Sequence, residues 1–144
     1  MRVDVFRFFL LHHFGGVVID MDYNLYKPFD LLDYKVILPN NRDDLHKEKV
    51  FGNCIMASEK DNRFWIFCIN EAIGNKRYEK YITNNDMFRF AGPNFMYECY
   101  MKYDNKQDIY TPERKLFHPP TPDGYKGDSY GIHRCMCHWM KEKT

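Results

Sequence analysis

The sequence predicts an α/β domain, and three features carry that expectation. Apolar residues at Val3, Phe6, Leu10 and Phe14 recur at helical spacing. The run Val17-Val18-Ile19 is short and wholly apolar, as in a strand buried on both faces of a sheet. Further strand-like and helical patterns follow in the rest of the chain. The length of 144 residues suits one domain with one core, here residues 1–144.

In chain order, Gly15 is expected to stop the first helix, and Gly15-Gly16 suits backbone at positive φ. Asp4 and Arg7 stand three apart on another face of that helix, in reach of one another. Tyr26-Lys27-Pro28-Phe29 breaks regular structure, and Lys35 to Leu38 reads as a strand ended by Pro39. Asn40 to Lys49 is polar and reads as an exposed loop, and Asn53 to Ala57 as a further strand. Phe64, Trp65, Cys68, Ile69 and Ala72 mark the buried face of a helix ending near Gly74. Gly92-Pro93 opens another, with Phe95, Met96, Cys99, Tyr100 and Tyr103 facing inward. Residues 111 to 131 are dense in proline and glycine and read as irregular chain.

Composition narrows the function classes. A net charge of +1 lacks the basic excess of a nucleic-acid or anionic-membrane binder. Aromatics make up 17% of the chain, which a large core or sugar-stacking surfaces would both absorb. The five cysteines are an odd number with no small-secreted-domain framework, so reduced thiols are expected. No signal peptide is visible, because His12-His13 interrupts the apolar Phe8–Leu11 run, and no run is long enough to span a membrane. These readings imply a soluble, cytoplasmic protein.

The chemistry gathers around Asp20 and Asp22. Two anions directly after an apolar strand need a partner, because burying unpaired charge is costly. The carboxyl end of a strand is also where open α/β sheets bind ligands. In extended chain, residues two apart point the same way, so both acids would reach one divalent cation. A solvated turn carrying two acids is the plainer alternative.

The ordered set of motifs resembles the DXD-containing sugar-binding region of family 32 glycosyltransferases. It comprises Asp4-x-x-Arg7, Phe14-Gly15-Gly16-Val17-Val18-Ile19-Asp20-x-Asp22, Lys27-Pro28-Phe29-Asp30, Asn53-Cys54-Ile55-Met56-Ala57-Ser58, Ala91-Gly92-Pro93, and Tyr130-Gly131-Ile132-His133 followed by His138-Trp139. The resemblance runs from residue 2 to residue 139 and includes capsular polysaccharide transferases and the initiating mannosyltransferase. It implies a GT-A-like fold, a central mixed sheet flanked by helices. It also implies transfer of a hexose from a nucleotide sugar (UDP- or GDP-linked) to a glycan acceptor, with retention of configuration. Under it, Asp22 ligates the metal, and Asp20 faces the donor or reaches the metal through water. Asp4 and Arg7 contact nucleoside and sugar, His133 completes the metal site, and Trp139 closes over the diphosphate. Carboxylates, phosphates and one imidazole favour Mn²⁺ over Mg²⁺. No residue stands out as a covalent nucleophile, so retention fits front-face attack guided by the diphosphate.

Three departures stand out. His138 takes the place of the family's serine, bringing a second imidazole near the metal or a phosphate. Phe14 replaces a common tyrosine. The family's first strand and helices, which frame the base, precede the Asp4 helix and have no counterpart here, so the domain is expected to be incomplete at its N-terminus. An inactive remnant that still binds a nucleotide sugar or glycan is therefore an alternative. A second is a haloacid dehalogenase-type phosphatase, with Asp20 as nucleophile and Asp22 as acid/base. That family wants a late acidic pair, and Asp43-Asp44 falls instead in the polar loop. A third is structural zinc at His133, Cys135, Cys137 and His138, whose crowding on one short segment suits a tetrahedral ion poorly.

Overall fold

In the computed structural model, residues 2–28, 33–41, 50–74, 90–119 and 127–136 are described. Helix α1 (Arg2–Phe14) ends where the Gly15 N–H donates to the Leu11 carbonyl at 3.0 Å. Gly15 and Gly16 have φ of +67° and +84°, which side-chain-bearing residues rarely adopt. A Cβ on Gly15 would also lie 2.6 Å from the Lys60 backbone nitrogen, so the turn closes only around glycine.

Strand β1 (Gly16–Ile19) leaves that turn and pairs antiparallel with β4 (Ile55–Ser58), Ile19 lying opposite Ile55. On its other side β4 pairs antiparallel with β3 (Val36–Ile37), which pairs in parallel with β5 (Ile109–Tyr110). The result is a four-stranded mixed sheet in the order β1-β4-β3-β5. Strands β2 (Tyr23–Leu25) and β6 (Gly131–His133) form a separate antiparallel pair. Helices α2 (Arg63–Gly74) and α3 (Pro93–Lys102) pack with α1 beside the sheet, and α4 (Arg114–Phe117) is a single turn.

The main core lies between helices and sheet. Phe8 of α1 stacks on Trp65 of α2 and Phe95 of α3, with ring centroids 5.8 and 6.1 Å away. Helices α2 and α3 bury the residues their spacing predicts: Phe64, Trp65, Cys68, Ile69 and Ala72 on one, Phe95, Met96 and Cys99 on the other. Tyr100 and Tyr103 are half-buried against the same core. A smaller cluster of Tyr23, Cys54, Ile55 and Phe117 lies beneath the β2–β6 pair.

Several expectations are corrected. Helix α1 buries Phe8 and Leu11, whereas Val3, Phe6 and Phe14 are 64%, 59% and 69% exposed. The helix is apolar on more than one side, so periodicity locates a stripe without saying which stripe faces the core. Strand β1 is not buried on both faces: Gly16 and Val17 are exposed, and among the described residues it pairs only with β4. Extended chain does not run on through the acids, since Tyr23 N–H donates to the Asp20 carbonyl and closes a turn. Residues 111 to 131 hold the turn α4, and β6 begins at Gly131. Phe29, Asp30, Asp43, Asp44, Cys137, His138 and Trp139 lie outside the described residues. No helix among the described residues is long and apolar enough to cross a membrane.

Candidate functional site

The acid pair sits where β1 gives way to β2. The Asp20 N–H extends the β1–β4 ladder by one bond, to the Cys54 carbonyl at 2.8 Å, which anchors Asp20 to the start of β4. The following turn lifts Met21 fully into solvent and brings Asp22 back beside Asp20. From the far end of the chain, β6 pairs with β2 in a register that sets His133 opposite Tyr23. Three residues from two distant stretches thereby converge, and one ligand atom from each of Asp20, Asp22 and His133 lies within 4.8 Å of the others.

His133 Nε2 stands 2.9 Å from Asp22 Oδ1 and 3.6 Å from Asp20 Oδ2. Ligands at right angles on an ion with bonds of about 2.1 Å stand about 3 Å apart, so these groups can share a divalent cation with little movement. The neutral imidazole that ligates through Nε2 carries its proton on Nδ1, which faces the Cys135 sulfur at 3.2 Å. The described residues thus fit a cation held by two carboxylates and one imidazole. Cys135 meets the ring at Nδ1, the nitrogen opposite the one that faces the acids; Cys137 and His138, the other members of the zinc alternative with Cys135 and His133, lie outside the described residues.

The two acids differ in their surroundings. Burial raises the Asp20 carboxyl above its ordinary range, although the Arg7 guanidinium and His133 oppose the rise. Burial also pushes Asp22 upward, but the Met136 N–H, which donates to Oδ2 at 3.0 Å, and His133 together bring it below the ordinary range. Cys135 has φ of +50°, and the bend it makes delivers that N–H.

Arg7 bonds to Asp20 Oδ1 and donates to the Asn53 carbonyl at 2.9 Å. Asn53 Nδ2 donates to Asp4 Oδ1 at 3.0 Å, while the direct Asp4–Arg7 approach is 3.9 Å. The Asp4-x-x-Arg7 face of α1 is therefore tied to the start of β4, and Arg7 occupies one Asp20 oxygen while Oδ2 points to His133. Asn53 was legible only as part of a strand motif. The Met136 N–H had no sequence signal, because any residue supplies one.

No protein-family model matches the sequence, and no curated protein matches it. Among solved structures it is similar to a PaToxG glycosyltransferase, with a TM-score of 0.54 and 20% identity, over 69% of this chain and 34% of that one. The fold is glycosyltransferase-like. That agrees with the mixed, helix-flanked sheet implied by the motifs.

Proposed function

We propose that this chain is a DXD-type glycosyltransferase domain that moves a hexose from a nucleotide sugar to a glycan acceptor with retention of configuration. The convergence of Asp20, Asp22 and His133 at the end of β1, on a glycosyltransferase-like fold, is the observation that carries the reading. In this reading Asp22, Asp20 through Oδ2, and His133 through Nε2 hold Mn²⁺, with Mg²⁺ as the weaker alternative. A bound divalent ion would offset the negative charge that grows on the departing diphosphate. Arg7 orients Asp20, Asp4 and Arg7 border the donor, and His138 and Trp139 contact the diphosphate. The phosphatase alternative needs Asp20 as an attacking nucleophile, and the Arg7 guanidinium on its carboxylate opposes that role.

Titrating Mn²⁺ against the protein while following free Mn²⁺ by electron paramagnetic resonance tests the site. Wild type should bind one equivalent. Asp22→Ala should abolish binding, and His133→Ala should weaken it by about ten-fold or more, both with unchanged circular dichroism. Full binding by folded Asp22→Ala would refute the assignment.

A further inference from the structure

Tyr23 contributes nothing to the ligand set, yet every side of its ring is engaged. Its hydroxyl donates to the Phe117 carbonyl at 2.6 Å, and the residue is only 7% exposed. The His118 ring meets it edge-on, with centroids 6.2 Å apart at 89°. A Cβ on Gly131 would lie 2.5 Å from Tyr23 Cε1, so the ring occupies the space left by that missing side chain. Gly131 and His133 are two apart on β6 and share a face. The remaining contact is with the imidazole of His133, the cross-strand partner of Tyr23, nearly parallel at 19° with centroids 6.5 Å apart. Offset stacking of this kind favours one relative orientation of two rings.

We infer that Tyr23 is a positioning residue: anchored by Phe117, His118 and Gly131, its ring fixes the plane of the His133 imidazole so that Nε2 points between Asp20 and Asp22. The ligand role of His133 rests on the function proposed above; the stacking does not. A histidine ligand normally has its orientation set by a hydrogen bond at its second nitrogen. Among the described residues Nδ1 meets the exposed thiol of Cys135, a weak partner, so the ring face takes a share of that task.

The test uses the full chain and two readouts. Two-dimensional NMR of the metal-free protein should show cross-peaks between the ring protons of Tyr23 and those of His133, and Tyr23→Leu should shift the His133 ring-proton signals. Tyr23→Leu should also weaken Mn²⁺ binding by about ten-fold, whereas Tyr23→Phe, which keeps the ring, should stay close to wild type. Ile69→Val, a mild loss in the other core, should leave both readouts unchanged. Equal weakening by Ile69→Val would reduce the effect to general loosening and overturn the proposal. Unchanged affinity and unshifted signals in Tyr23→Leu would overturn it as well. If Tyr23→Leu fails to fold, missing cross-peaks in wild type and in Tyr23→Phe would be decisive against it. A wild type that binds no Mn²⁺ refutes the metal reading, and the NMR arm still decides the role of Tyr23.

Discussion

His118 is the residue whose surroundings most constrain its chemistry. It is 6% exposed, with the Cys54 sulfur 3.8 Å from its ring nitrogens. Burial, helped by the electrostatic influence of neighbouring His133 and Arg114, lowers its pKa to about 4. Burial raises the Cys54 thiol, so both groups are neutral at pH 7. With a folded pKa below the unfolded value, the unfolded chain binds the proton first. Stability is therefore intact above about pH 6.5 and falls as the pH drops towards 4, by on the order of 3 kcal/mol at most. Urea unfolding from pH 7.5 to 4.5 should show wild type losing stability relative to His118→Gln across that window, and parallel curves would contradict the assignment. At this scale Asp20, Asp22 and His133 were legible because a motif names them. Tyr23 and Asn53 act through neighbours that only the fold supplies, so the sequence could not give their roles.

Helix α1 shows what periodicity can and cannot decide. The spacing of Val3, Phe6, Leu10 and Phe14 is a true helical stripe, and the helix formed, but the core took Phe8 and Leu11. The choice follows from Asp4 and Arg7, which must reach Asn53 and Asp20 and so set the rotation of the helix against β4. Phe8→Ala should cost about 3–5 kcal/mol, because the ring sits between Trp65 and Phe95. Phe6→Gln, on the exposed side, should stay within about 0.5 kcal/mol of wild type. Denaturant melts of the two variants decide it, and reversed magnitudes would mean the helix is rotated. Helices α2 and α3 were legible in detail because their bulkiest apolar residues repeat at helical spacing on the face that is buried, although Ile66, Ile73 and Met101 stay exposed. Strand β1 was over-read: an apolar run suits a half-exposed edge as well as a buried centre.

Across the whole molecule, long-range pairing builds the site. The sheet joins residues 16–19 to 55–58, and the β2–β6 pair joins residues 23–25 to 131–133. Neither pairing was readable from periodicity, yet the order of motifs anticipated that the two ends of the chain meet. The solved glycosyltransferase it resembles is matched over 34% of its length, so the fold likeness concerns one portion of that chain. The central claim is that Asp20, Asp22 and His133 hold a cation that grips a nucleotide-sugar diphosphate. Calorimetry with UDP-glucose, UDP-galactose and GDP-mannose, with and without Mn²⁺, tests it most directly. The account predicts heat of binding for at least one donor only when Mn²⁺ is present, lost in Asp22→Ala. Donor binding indifferent to Mn²⁺ and to Asp22, or no binding of any donor by wild type, would contradict it.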